Sequence, residues 1–582
     1  MQPNNVKLII YQVFPRILTN ANATCLPGGT LESNGAGKMN DYTPRVLRSI
    51  KELGVNAIWF TGVIENATKT EFDGIPADNP HIVKGEAGSP YAIKDYYDVA
   101  PAIATDVARR MEEFEELVAR CHVEGLKVLI DFVPNHTARV YHSDAAPEGV
   151  ADFGASDDIG MCFSPSNNYY YVTNQQFSPS IDLGQGKDAY VEFPAKATGN
   201  DCFTAFCSAN DWYETVKLNY GHDYGNNTDH FSPVPDTWQK MLSILQFWVS
   251  KGVDGFRCDM VFMVPIAFWH WVTQKIKAEY PDVIFIGEIY DVELYRPFLD
   301  YGGFDYLYDK VSLYDTLVAI DTMNYSAARL TGCWQTVDGI GARMVNFLEN
   351  HDEVRYASDA YAGNPLSVIP SLVVSSMIST GPFLLYYGQE LGEKGEENEG
   401  FAGHNHRTTI FDYWSYSSMR RWYDEGKCSL ENLTPQERWL RALYSRVLHI
   451  CNEHEAIRRG GFFDLMYVNL QNPEFDPHRI FAFIRHADDE VMLIVVNFGY
   501  EPRKISLNIP DEAFDATRLP EGEVETAELL TGRHINLTIR RRKPLELSVD
   551  SRGALLLSMR PAPKKDEKEG KECLKNCAAR KN

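Results

Sequence analysis

No stretch of this sequence stays apolar for anything near twenty residues, which argues against a membrane-spanning helix. The N-terminus as written reads without a leader. Val6-Lys7-Leu8-Ile9-Ile10-Tyr11 is short and runs directly into a strand pattern. Positive charge is scarce: 56 Lys and Arg stand against 80 Asp and Glu, a net charge of −24. So acidic a surface argues against nucleic acid and anionic membranes, and favours a neutral small molecule or carbohydrate. Cysteine is sparse and unpatterned. The 11 Cys form an odd number, and the close pairs Cys202 with Cys207 and Cys573 with Cys577 have neither C-x-x-C spacing nor His neighbours. That argues against a disulfide framework and a zinc site. Reduced thiols in a cytoplasmic protein are the simplest reading. The alternative is a periplasmic or secreted protein whose signal peptide is absent from this sequence. Internal repeats are absent as well.

What is present points to a large enzyme-sized chain. Its 582 residues exceed one core, so two to four domains are expected. Hydrophobic residues make up 44% and charged residues 23%, as in an ordinary globular protein. The 10 Trp and 31 Tyr suit sugar-stacking platforms and a large core alike.

Strand and helix patterns alternate over the first 136 residues. Residues 6–18, 55–60 and 126–133 read as buried strands, with helices over 41–53 and 106–124 and a short strand near 95–99. Runs apolar on both faces indicate a parallel sheet with crossover helices. The alternation stops from His136 to about Pro235, a stretch rich in Asn, Ser, Gly, Pro and Tyr. So long a structureless loop is implausible in a compact domain, and 137–235 is read as an inserted small domain. A helix over 237–250 resumes the pattern. Strands over 255–259, 283–288, 304–308, 344–348 and 383–387 bring the count to about eight, as in a (β/α)8 barrel. A helix over 433–457 closes it. From 460 to 560 the period becomes that of an antiparallel β-domain, and 561–582 is Lys/Glu-rich, as in a disordered tail. The expected domains are therefore 1–136 and 236–459 for the barrel, 137–235, 460–560, and the tail.

In such a barrel, reactive groups stand at the C-terminal ends of strands. Gly255-Phe256-Arg257-Cys258-Asp259 places Arg257 and Asp259 two residues apart, hence on one side of a strand. The cation would keep Asp259 ionised, as a carboxylate nucleophile requires. Alone, the pair reads more readily as an ordinary buried ion pair. Three other strand ends change that: Asp131-Phe132-Val133-Pro134-Asn135-His136, Glu288 after Phe285-Ile286-Gly287, and Glu349-Asn350-His351-Asp352. Two carboxyls at a barrel mouth suggest glycoside hydrolysis. Asp259 suits the nucleophile, Glu288 the acid/base, and Asp352 a third acid for sugar hydroxyls. His136 and His351 would donate hydrogen bonds around an oxocarbenium-like transition state.

DFVPNH, GFRCD, GEIY and FLENHD, in this order and at these separations, resemble the four main motifs of the α-amylase family of glycoside hydrolases, family thirteen. The resemblance runs from about Tyr11 to Met559. It implies a (β/α)8 barrel, domain B inserted after the third strand, and a C-terminal antiparallel β-sandwich. It implies Asp259 as nucleophile, Glu288 as acid/base and Asp352 as stabiliser, with Arg257, His136 and His351 at substrate positions. Tyr91, in Ser89-Pro90-Tyr91, is similar to the family Tyr under the sugar at the cleavage site. Val216-Lys217-Leu218-Asn219 resembles a motif of neopullulanases and cyclomaltodextrinases, without the extra N-terminal domain those usually carry. Gly388-Gln389-Glu390 matches a further family motif. No cofactor is required by the resemblance. Asn135 matches a calcium ligand, but the family's Lys and His after the nucleophile are replaced by Phe262 and Met263.

The expected function is retaining hydrolysis of α-1,4 bonds in α-glucans or maltooligosaccharides, as in starch or glycogen degradation. The alternatives are a 4-α-glucanotransferase or a neopullulanase/cyclomaltodextrinase-type enzyme, with an aromatic acceptor site at Trp212 or Trp414. A non-catalytic glucan-binding barrel is the remote third. Cys258, Tyr169-Tyr170-Tyr171, His404 and His406 have bland readings as core or loop. Arg407 is a candidate for an acceptor subsite.

Overall fold

The computed structural model describes residues 6–401 and 403–564; the tail expected over 561–582 lies outside them from 565 onward. Eight parallel strands close into a barrel. They are β1 (Ile9–Val13), β2 (Ala57–Phe60), β3 (Lys127–Phe132), β4 (Gly255–Cys258), β5 (Ile284–Gly287), β6 (Tyr306–Tyr308), β7 (Met344–Phe347) and β8 (Phe383–Tyr386). Each pairs with its neighbours in sequence, and β8 closes on β1 with Ile9 opposite Phe383. Runs such as Ala57-Ile58-Trp59-Phe60 are buried along their whole length. One face fills the barrel and the other meets the surrounding helices.

Several expected elements are trimmed by local chemistry. The first strand stops at Val13, because Pro15 occupies the first turn of a short helix, Pro15–Leu18. Ile93–Val99 is a strand, but it pairs antiparallel with Ile64–Asn66 outside the barrel. The closing helix is Pro435–Glu453, started by a capping box between Thr434 and Glu437, and a separate turn, Glu455–Arg458, follows.

Between β3 and β4 the chain builds the inserted domain from very short ladders. His136–Ala138 pairs with Thr215–Lys217, Tyr171–Val172 with Ala195–Lys196, and His222–Asp223 with Thr228–Asp229. Tyr169, Tyr170 and Tyr171 are all buried, so they pack the insertion. After the barrel come β9 (Gly461–Asp464), β10 (Ile480–His486), β11 (Val491–Asn497), β12 (Arg503–Leu507), β13 (Gly522–Glu528), β14 (Arg533–Ile539), β15 (Leu545–Val549) and β16 (Gly553–Met559). A six-stranded antiparallel sheet, β9-β10-β11-β16-β13-β14, faces the pair β12-β15, which makes the C-terminal β-sandwich. Among the described residues no helix is long and apolar enough to cross a membrane.

Candidate active site

The parallel register decides which side chains meet. Arg257 of β4 lies level with Asp131 of β3 and Ile286 of β5. The ladder continues one step past the strands, with the Asp259 N–H on the Phe132 carbonyl and the Glu288 N–H on the Cys258 carbonyl. Asp259 and Glu288 thus end adjacent strands at one level. Arg257, 1% exposed, stands between them. Its Nη1 donates to Asp259 Oδ1 at 2.8 Å and to Asp131 Oδ1 at 3.4 Å, and its Nη2 lies 2.8 Å from Glu288 Oε2. The rings of Trp59, Tyr91 and Tyr308 surround the guanidinium at 5.3 to 5.6 Å.

One cation therefore serves two candidate reactive carboxyls. Burial pushes Asp259 well above the usual carboxylate range, the neighbouring Glu288 adds to the shift, and Arg257 opposes it. This corrects the expectation that Arg257 alone keeps Asp259 ionised. Burial and a neighbouring like charge both disfavour the charged form, and at Asp259 one guanidinium is set against both. Glu288 has two further partners. The Met260 N–H donates to its Oε2 at 2.9 Å, and the Tyr290 hydroxyl donates to its Oε1. Met260 reaches it from the left-handed region, at φ 44°, a conformation costly for a long side chain.

Asp352 is held differently. Burial works against its charge, but His351 Nε2, 3.1 Å from Oδ2, outweighs it, and Arg257 and Arg407 add to the effect. Its carboxyl sits well below the usual range. Gln12 meets His351 Nδ1 at 2.8 Å, and the Tyr91 hydroxyl meets Nε2. The Tyr91 and His351 rings stack at 5.3 Å. Burial, then the nearby Lys217, lowers His136 to about 3, so its imidazole is neutral. Asn135 Nδ2 faces His136 Nδ1 at 3.1 Å and donates to the Gly199 carbonyl at 2.7 Å, which leaves the ring proton on Nε2.

Asn135 does not fit a calcium ion. Its Oδ1 already accepts from the Lys217 ammonium at 2.5 Å. The same ammonium binds the Met263 carbonyl at 3.0 Å and pairs with Asp201 at 2.7 Å. Three oxygens from three segments surround a cation that the chain supplies itself. The metal expectation at Asn135 is corrected on that ground.

A cleft of about 560 Å³ opens over these groups, lined by Tyr91, His136, Asp259, Glu288 and Asp352. Arg257 and His351 are not among its lining residues; they lie beneath it and position those that are. Trp212 and Arg407, the candidates for an acceptor site, line the cleft. Trp414 does not: it is buried, with Nε1 on Glu397. Cys258 is fully buried and its thiol is pushed well up by burial, so it is inert core. His404 and His406 make only loop contacts, His404 Nδ1 to the Glu396 carbonyl and the His406 carbonyl to the Arg355 N–H. Glu390 ties the barrel to its closing helix through Tyr11 at 2.7 Å and Arg441 at 3.4 Å.

Sequence reasoning missed the roles of Gln12, Trp59, Asp131, Tyr290, Tyr308 and Lys217. Of these, Asp131, Tyr290 and Lys217 carried a signal, as an acid near a strand end, an aromatic two residues after Glu288 and a member of the Val216-Lys217-Leu218-Asn219 motif.

Residues 12–429 match the family model for the alpha amylase catalytic domain. The chain belongs to the α-amylase family. It is a glycoside hydrolase. Among relatives, Alpha-amylase 3 of Dictyoglomus thermophilum is 22% identical over 554 residues, covering 91% of this chain and 93% of its own length. A cyclomaltodextrinase of Thermoanaerobacter pseudethanolicus is 20% identical, covering 88% of this chain and 74% of its own. The solved maltogenic α-amylase AmyB of Thermotoga neapolitana superposes with a TM-score of 0.61 at 20% identity, over 96% of this chain and 99% of that one. At that identity the likeness establishes the fold.

Proposed function

We propose that this α-amylase family member is a retaining hydrolase of α-1,4-glucosidic bonds in α-glucans or maltooligosaccharides, working through a covalent glycosyl-enzyme intermediate. The observation that carries this reading is the single guanidinium of Arg257 shared by Asp259 and Glu288 at the cleft floor. A retaining enzyme sets its two carboxyls only about 5–5.5 Å apart, which leaves no room for a water between the second carboxylate and the sugar. Two carboxyls held on one guanidinium suit that spacing. With glucan bound, Glu288 acts as the acid and protonates the departing glycosidic oxygen. Asp259 attacks the anomeric carbon and forms the ester. Glu288, now a carboxylate, takes a proton from water, and that water opens the ester. Asp352, kept ionised by His351, accepts hydroxyls of the distorted ring. His136 donates from Nε2, and Tyr91 forms the platform beneath the sugar.

A second reading, transfer to another sugar, rests on Trp212. Its indole lies 5.3 Å from the His136 ring on the cleft wall and offers an acceptor a stacking face. A product time course from maltoheptaose, run beside pullulan, decides between them. Short products alone support hydrolysis. Products longer than the substrate at early times make the chain a transferase, and pullulan cleavage places it with the neopullulanase type. No product from either substrate overturns the proposal.

A further inference from the structure

Away from the cleft, the hairpin after β2 gathers acids with too few cations. Glu65 is 4% exposed, yet among the described residues its carboxylate has neither a hydrogen bond nor an ion pair. Its strand, Ile64–Asn66, pairs with Ile93–Val99 in a broken register: Ile64 faces Val99, and the next residue, Glu65, already faces Asp95. Like charges set opposite each other destabilise a ladder. One carboxylate oxygen each from Glu65, Asp95, Asp98 and Asp144 lies within 4.8 Å of all the others. Arg110 is the guanidinium that serves this group, paired with Asp98 and 3.9 Å from Asp144. Lys94 is turned to Asp78 at 3.3 Å and the Pro76 carbonyl at 3.0 Å. Asp95 is capped by the N–H groups of Tyr97, Asp144 and Ala145, and Asp98 by that of Val99. None of these donors reaches Glu65. Burial pushes the Glu65 carboxyl up to about 8; Lys94 opposes this, and Asp95 and Asp98 add to it.

We propose that Glu65, Asp95, Asp98 and Asp144 form a binding site for a divalent cation of the calcium class. Oxygens on opposite sides of a calcium ion stand roughly 4.6–5.2 Å apart, and of a magnesium ion roughly 4.0–4.2 Å, from bonds of about 2.3–2.6 and 2.0–2.1 Å. All four oxygens lie within 4.8 Å, a distance either ion can span, and the ligand set chooses between them: calcium takes many protein oxygens, whereas magnesium is usually held by one or two carboxylates. Three ligands are buried, while Asp144 is exposed, so water can complete the sphere on that side. The ion would join three segments: the strand after β2, the strand that follows Tyr91, and the loop entering the insertion. The site is separate from Asn135, whose cation is Lys217.

The test uses the full chain, stripped with EDTA, desalted, and titrated calorimetrically with CaCl2 near pH 7. The expected result is one saturable site and a Tm rise of about 2 °C or more at saturation. Magnesium binds more weakly. Glu65→Gln, close in shape to the protonated side chain, and Asp144→Asn, at the exposed edge, each weaken calcium at least about tenfold with unchanged circular dichroism. Absence of saturable heat from the stripped wild type overturns the proposal. So does calcium binding by both variants at wild-type affinity.

Discussion

The barrel and the insertion are built on opposite plans. In the barrel, backbone pairs with backbone around a closed ladder, and apolar side chains fill the space on both sides. In the insertion, ladders last two or three residues, and polar side chains take over the backbone groups. Asp157 accepts the N–H groups of Asn168 and Tyr169. Arg139 lies 3.5 Å over the Phe177 ring, donates to the Tyr213 carbonyl at 2.5 Å and pairs with Glu192 at 2.6 Å. Lys217 ties the insertion to the tips of β3 and β4. Barrel stability is thus spread over many small apolar contacts, whereas the insertion hangs on a few charged anchors. The cleft needs both, since the barrel carries the acids and the insertion adds Trp212 and Glu214 to the wall.

Four variants probe this contrast. The largest effect is expected from Asp259→Asn. Turnover of maltoheptaose falls on the order of 10⁴-fold, the scale of losing a nucleophile, while the melting temperature stays near wild type because the ladder is untouched. Near wild-type turnover would remove Asp259 from its role. Glu288→Gln comes next, with a loss of about 10²–10⁴-fold. Part of that loss is recovered on aryl glycosides whose leaving group needs no proton; equal loss on both substrate types would count against the acid role.

The anchors are expected to behave otherwise. Lys217→Met leaves Asn135 and Asp201 without their cation, which costs about 3 kcal/mol, the low end for a broken buried pair because Asp201 is partly open. Limited proteolysis should then cut within the insertion first, and KM should rise more than kcat falls. Uniform loosening of barrel and insertion in hydrogen exchange would break the contrast. The smallest effect, taken per pH unit, concerns acid. His136 is lowered from 6.5 to about 3, so its contribution is present above pH 6.5 and is lost as pH falls toward 3. Across that window it supplies a slope of ~1.4 kcal/mol per pH unit. His136→Gln should flatten the acid limb of a denaturant-derived stability profile; an unchanged slope would show that this imidazole does not carry it.

Much of the candidate site was legible before the fold was known. Asp259, Glu288 and Asp352 were found because each follows a short apolar run, and such runs end where barrel strands end. Asn135 and His136 were visible at a strand end, whereas Tyr91 was reached through resemblance to a family and had no local signal of its own. Trp59, Tyr308 and Gln12 were passed over as core, since inward-facing residues of a barrel look alike until closure brings Arg257 or His351 beside them. The ionisation of Asp259 was misjudged because its strand neighbour Arg257 was visible and Glu288, on the next strand, was not.

By itself, the sequence determined the alternation of strands and helices, the place of the insertion and the order of the acids along the chain. These follow from periodicity and punctuation over a few residues, which act within one element. Tertiary structure alone decided which acids share Arg257, that Lys217 supplies the cation at Asn135, and that Glu65 meets Asp95, Asp98 and Asp144. Each depends on register and closure between segments far apart in the chain, and electrostatic energies are set by those through-space distances and by burial, neither of which a local pattern encodes.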